Sequence, residues 1–142
     1  MTIGINSTLR DARLTLILDA IDDDGTAGKL TIYSGTRPTT GAEPDEYDNL
    51  ALVVFDLDYP CGTITNGVLT FNPISDDEYD FAEAINTGIA EWGRITTIGG
   101  VFVIDLSVTD LFGSGDIKID STEIYEGSNV FCYSAVINEG NS

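Results

Sequence analysis

From Lys29 onward the chain consists of short segments with alternating polarity, each closed by a turn signal. This punctuation limits the fold more than any other feature, because alternation puts successive side chains on opposite faces of a strand. Lys29-Leu30-Thr31-Ile32-Tyr33 alternates in this way, and residues 50–57 (LALVVFDL) read as a strand buried on both faces. Asn66-Gly67 lies between Thr63-Ile64-Thr65 and Val68-Leu69-Thr70-Phe71. Both central positions of a two-residue hairpin turn need positive φ, which Asn and Gly tolerate best. Residues 89–95 and 101–106 predict a second hairpin about Gly99-Gly100, and Gly113-Ser114-Gly115 reads as a flexible turn. Ile117-Lys118-Ile119, residues 122–125 and residues 130–137 complete the series, with Glu126-Gly127-Ser128-Asn129 turning between the last two. Strands spaced about ten residues apart predict a mainly-β fold: an antiparallel β-sandwich, jelly-roll-like, of about eight or nine strands.

One helix precedes the strands. Across residues 8–22 the polar positions Asp11, Thr15, Asp19 and Asp22 recur at helical spacing. Leu14, Ile17, Leu18 and Ile21, with Leu9, Ala12 and Leu16, form a wide apolar stripe opposite. Asn6 or Ser7 caps the start, and Asp22-Asp23-Asp24-Gly25 ends it. Aspartates at a helix C-terminus oppose the helix dipole, so packing rather than local energetics must hold this end. The chain divides into an N-terminal arm and helix (1–28) and a sandwich domain (29–142). Within the latter, residues 34–48 carry Pro38 and Pro44 and form an irregular loop, long enough to suggest contact with another molecule.

Charge removes several function classes. Twenty-four Asp+Glu against six Lys+Arg leave a net charge of −18. The six basic residues (Arg10, Arg13, Lys29, Arg37, Arg94, Lys118) are scattered, which argues against nucleic acid and against an anionic membrane surface. With no His, histidine-based triads, dyads and zinc sites are excluded. The start lacks the basic and apolar regions of a signal peptide, so the sequon Asn6-Ser7-Thr8 is expected to be unused. Cys61 and Cys132 are read as free thiols of a reducing cytosol, with a bridge as the geometric alternative.

No residue set commits the chain to catalysis. Counted as a calcium loop from Asp22, the sixth residue is Ala27 and the twelfth Tyr33, so the EF-hand pattern fails. Asp76, Asp77, Glu78 and Asp80 form an acidic loop, read as solvated rather than metal-binding. No nucleophile elbow, P-loop or dinucleotide fingerprint is present. Trp92 with Tyr33, Tyr59, Tyr79, Tyr125 and Tyr133 offers an aromatic platform for sugars if exposed, although a lone strand Trp is more often core. The expectation is no catalytic residues, no cofactor and no metal.

The layout of the whole chain resembles a family of small structural proteins encoded in tailed-phage morphogenesis clusters near the major capsid protein. The resemblance is carried by the helix from Leu9-Arg10-Asp11-Ala12-Arg13 to Asp22, the Gly-rich link, and the segment from Gly28-Lys29-Leu30 through Gly35-Thr36-Arg37-Pro38. It continues in Gly67-Val68-Leu69-Thr70-Phe71-Asn72-Pro73-Ile74, Ala90-Glu91-Trp92-Gly93-Arg94-Ile95, Gly115-Asp116-Ile117-Lys118-Ile119-Asp120 and the last strand from Val130 to Glu139. It implies a capsid decoration (cement) protein on the capsid exterior, assembled in the host cytoplasm. The implied partners are the major capsid protein and further copies of itself, as a homotrimer. Arg10, Arg13, Arg37 and Pro38 are the candidate contact residues. A neck or tail component, or a carbohydrate- or receptor-binding module on the virion, is the alternative.

Overall fold

The computed structural model describes residues 6–75 and 79–138. The helix α1 (Ser7–Ile21) starts where the Asn6 side chain accepts the Thr8 N–H at 2.8 Å. Asp23–Gly25 adds a single 3-10 turn. The strands follow as β1 (Lys29–Ser34), β2 (Ala51–Asp56), β3 (Gly62–Thr65), β4 (Val68–Phe71), β5 (Ala82–Glu83) and β6 (Gly88–Thr96). They continue as β7 (Phe102–Asp110), β8 (Ile117–Ile119), β9 (Glu123–Ile124), β10 (Asn129–Val130) and β11 (Cys132–Asn138). The mainly-β class with one N-terminal helix is as expected.

Eight strands run in the order β2-β1-β6-β7-β8-β11-β4-β3, with β9 joined to the start of β6, and the sheet curls so that its two halves share one core. Leu30, Ile32, Leu52 and Ile95 from one half meet Leu69, Ile117, Ile119 and Ile137 from the other in a single cluster. A strand beyond the expected set, β5, pairs with β10, which is split from the start of the expected last strand, through Asn129↔Glu83 and Val130↔Ala82. Pairs of two residues leave no alternation to read in a sequence. Strand β2 lies at one end of the order yet buries Leu52, Val53 and Phe55. Its open edge is closed by the Ile85 N–H on the Leu52 carbonyl and the Asn86 amide on the Ala51 carbonyl, both at 2.8 Å. Val54 nevertheless remains exposed, so the strand is not buried on both faces throughout.

One pair departs from the antiparallel expectation. Strands β7 and β8 are parallel, Val108 facing Ile117 and Asp110 facing Ile119. Parallel neighbours ordinarily need a crossover of a dozen or more residues. Here residues 111–116 suffice because the loop folds back against its own strand. The Thr109 hydroxyl accepts the Gly115 N–H at 3.0 Å, and the Ser107 hydroxyl accepts the Asp116 N–H at 3.0 Å. The Asp110 carboxylate accepts the N–H groups of Phe112 and Gly113. Gly113 lies so close to Thr109 that a methyl group there would sit 2.5 Å from its Cβ.

The helix reverses part of its expected orientation. Leu14 and Ile21 are fully buried in the shared core, so residue 28 marks a change of element but not of core. Leu9, Ala12 and Leu16 face solvent instead, Leu16 at 72% exposure. Asp11, placed on the solvent face by the sequence reading, turns inward and accepts the Gly67 N–H at 2.6 Å. Asp22, at the other end, accepts the Cys61 N–H at 3.2 Å. Both ends of α1 are thus fastened to the β3–β4 hairpin by a carboxylate on a backbone N–H. The lengths agree: eleven helical residues rise about 17 Å, and the six extended residues from 61 to 67 span about 20 Å. This is the packing that compensates the unfavourable aspartates. The hairpin turn is as predicted, with Asn66 at φ 51° and Gly67 at φ 77°.

Candidate functional site

The outer face of the β1–β6–β7 sheet carries a second buried layer. Tyr33 lies opposite Trp92, and Arg94 opposite both Thr31 and Asp105. The Tyr33 and Trp92 rings stack at 4.4 Å, and the Arg94 guanidinium sits 5.3 Å from the Trp92 ring and 4.8 Å from the Phe102 ring. Asp105 holds that guanidinium with two bonds, 2.7 and 3.0 Å, and its side chain is 1% exposed. The hydrogen bond to Asp105 holds Arg94 more firmly protonated than usual, against the opposing pull of burial. Burial pushes the Tyr33 hydroxyl pKa up, opposed by Arg94 and assisted by Glu43 and Asp105.

The cover over this layer is the long loop, residues 34–48. Its ends are clamped by the buried Asn49, whose amide donates to the Ser34 and Thr36 carbonyls at 2.9 Å and whose oxygen accepts the Asp45 N–H. The Asp45 carboxylate accepts the Tyr47 N–H, and Asp48 accepts that of Thr36. A compact loop with adjacent ends results. A methyl group at Gly41 would be 3.6 Å from the Phe102 ring, and Glu43 is close enough to act on both Tyr33 and Arg94. The loop therefore lies down on the sheet, and Trp92 beneath it is 2% exposed.

Beside the loop is a cleft of about 330 Å³ lined by Arg37, Glu91, Trp92, Asp105, Ser107 and Asp116. Arg37 is exposed at its rim and Pro38 is half-buried. The other two candidate contact residues are elsewhere. The Arg10 guanidinium packs over Gly67 at the β3–β4 turn, closer than a side chain at 67 would permit. Arg13 is exposed on the outer face of α1.

The other candidates disperse. Tyr59, Tyr79, Tyr125 and Tyr133 are exposed and apart from Trp92, and Tyr133 stacks on Phe131 at 6.3 Å, so there is no common platform with the tryptophan. Asp76, Asp77 and Glu78 lie outside the described residues. Among those described, no group of three His, Cys, Asp or Glu side chains could hold a metal ion. Cys61 and Cys132 are free and buried. Burial, with Asp22 beside it, pushes the Cys61 thiol up to about 12, and burial alone raises Cys132 to about 12. Neither presents a thiolate near neutral pH.

Among the described residues, the most exposed large apolar side chain went unnoticed in the sequence. Phe112, at the tip of the loop between β7 and β8, is 97% exposed, with the half-exposed Leu111 beside it. The signal was present: an apolar pair placed inside the turn Asp110-Leu111-Phe112-Gly113, where no strand period requires it. No helix among the described residues is long and apolar enough to cross a membrane. Compared with protein-family models, curated proteins and solved structures, the chain matches none.

Proposed function

We propose that this chain is a non-enzymatic structural protein of a phage virion, which decorates and stabilises the outside of the capsid by binding the major capsid protein as a homotrimer. One observation carries the reading: Arg94, both thiols and several carboxylates are engaged by neighbouring groups of the fold, while large apolar side chains stand exposed. Arg94 is neutralised by Asp105, both thiols are held protonated, and Asp11, Asp22, Asp110 and Asp116 hold backbone N–H groups or a hydroxyl. Phe112, Leu16 and Leu9 face outward. A stiff acidic body with apolar projections suits contact with protein, and a charge of −18 keeps an abundant subunit soluble before assembly.

The glycan-binding alternative requires Trp92 at the surface, and its burial under the long loop weighs against that. The test is the copy number of the chain in purified particles, by quantitative mass spectrometry. Decoration requires a number comparable to that of the major capsid protein. A few copies would move the chain to the neck or tail, and none would remove it from the virion.

A further inference from the structure

We propose that Asn66 is a latent self-modification site, which α1 keeps intact and which converts to aspartate or isoaspartate when the helix leaves the β3–β4 hairpin. Asn66-Gly67 is the only Asn-Gly pair in the sequence. This pair is the most reactive setting for an asparagine, because a following glycine has no side chain to obstruct its own backbone nitrogen. Asn66 is exposed at the hairpin tip, whereas Gly67 beside it is buried.

The reaction needs only water. The Gly67 backbone nitrogen gives up its proton and attacks the carbonyl carbon of the Asn66 side chain. A new C–N bond closes a cyclic imide, the bond to the side-chain nitrogen breaks, and that nitrogen takes up the proton and leaves as ammonia. Water then opens the imide at one carbonyl or the other. One opening leaves aspartate, and the other leaves isoaspartate, in which the backbone runs through the side-chain carbon. That extra carbon does not fit a two-residue turn that sets Ile64 opposite Leu69 and Thr65 opposite Val68. Either product also adds a carboxylate close to Asp11, in a chain already at −18, so refolding does not restore the original contact.

Every path begins at the Gly67 N–H, and the fold has engaged it. Asp11 accepts that N–H at 2.6 Å, across 56 positions of sequence. A hydrogen bond to a carboxylate favours the protonated amide, and the adjacent negative charge disfavours its anion. The Arg10 guanidinium acts in the opposite electrical sense, but it lies over Gly67 and helps to bury it. Attack also requires the nitrogen to turn toward the Asn66 side chain. The turn, with Asn66 at φ 51° and Gly67 at φ 77°, is held on both sides by the β3–β4 ladder and resists that rotation. At the far end of the helix, Asp22 on the Cys61 N–H keeps α1 seated. The protection therefore lasts as long as α1 stays on the hairpin.

The experiment follows Asn66 in the full chain by tandem mass spectrometry during incubation at mildly alkaline pH, with an isoaspartate assay and with circular dichroism to verify folding. Folded wild-type protein should convert far more slowly than the same chain in guanidinium chloride. Asp11→Ala should speed conversion of the folded chain by about tenfold to a hundredfold, the worth of a hydrogen bond to a charged group. Asp11→Asn keeps an acceptor without the charge, so its rate should fall between the two, and it replaces Asp11→Ala if that variant fails to fold. Asn49→Ala, which removes side-chain bonds to Ser34, Thr36 and Asp45, is the control for stability lost elsewhere and should leave the rate at Asn66 unchanged. Folded wild type converting as fast as the unfolded chain would overturn the proposal, as would Asp11→Ala converting at the wild-type rate. Equal acceleration by Asn49→Ala would overturn it too, because unfolding of the whole chain, rather than the Asp11 bond, would then set the rate.

Discussion

The two loops that flank the outer face of the sheet have opposite geometries. Residues 34–48 form the longest connection between described strands that the sequence marks as irregular, and they turn inward to cover Tyr33, Trp92 and Phe102. Residues 111–116 form a connection less than half as long, and they project Phe112 into solvent. Both are shaped by the same chemistry, Asp, Asn and Thr side chains bonded to nearby backbone groups. What differs is the surface beneath. The long loop has an aromatic layer to lie on, whereas the short one is occupied in returning the chain parallel to β7. Loop length therefore does not tell which loop exposes its apolar side chains.

The largest effect should come from the layer that the long loop covers. Asp105→Ala leaves the Arg94 guanidinium buried among rings without its carboxylate, and loss of one partner of a buried pair costs about 3–5 kcal/mol. Urea unfolding should report this, and a loss under 1 kcal/mol would mean that water reaches Arg94 and the cover is open. Next is the clamp. Asn49→Ala removes both donors to the Ser34 and Thr36 carbonyls and the acceptor for Asp45, and should lower stability by about 2–3 kcal/mol in the same urea unfolding. An unchanged unfolding midpoint would show that Asn49 does not hold the loop ends together.

A titration sharpens the same comparison. Burial raises the Tyr33 pKa, so the folded state holds that proton longer than the unfolded chain does. The stability due to the neutral phenol is complete below the unfolded value of about 10 and falls as pH rises beyond it, by at most about 1.4 kcal/mol per pH unit. Tyrosinate absorbance should contain a late phase that Tyr33→Phe removes and Asn49→Ala shifts to lower pH. The smallest effect belongs to the short loop. Thr109→Val keeps the shape but removes the acceptor for the Gly115 N–H, costing about 1 kcal/mol in urea unfolding while the fold survives.

How much of this was legible follows from what each residue needs to know. Asn66-Gly67 and Gly99-Gly100 specify their turns by local φ alone, and both hairpins were readable. The N-terminal helix was readable too, but not its orientation, because α1 is apolar on both sides and only the hairpin opposite decides which side is buried. Asp11 looked like a solvent residue until Gly67 supplied an N–H across 56 positions. The pairing of β5 with β10 was silent for the same reason, since it depends on partners 46 and 48 positions away. Arg37 and Pro38 could be assigned to an irregular loop by its length and prolines, but the inward fold of that loop depends on Phe102 and Trp92, far along the chain. Phe112 was hidden by its glycines, which made the segment read as a flexible turn when close packing on Thr109 makes it stiff.

The claim on which the comparison stands is that the long loop lies closed over the sheet, and Trp92, the one tryptophan, reports on it directly. Acrylamide quenching of its fluorescence in the native full chain is the measurement. A closed loop predicts blue-shifted emission, weak quenching that rises sharply only on unfolding, and no response to added glycans. Red-shifted emission quenched as readily as free indole would mean that the Trp92 face is open, and that the roles of the two loops are the reverse of those described.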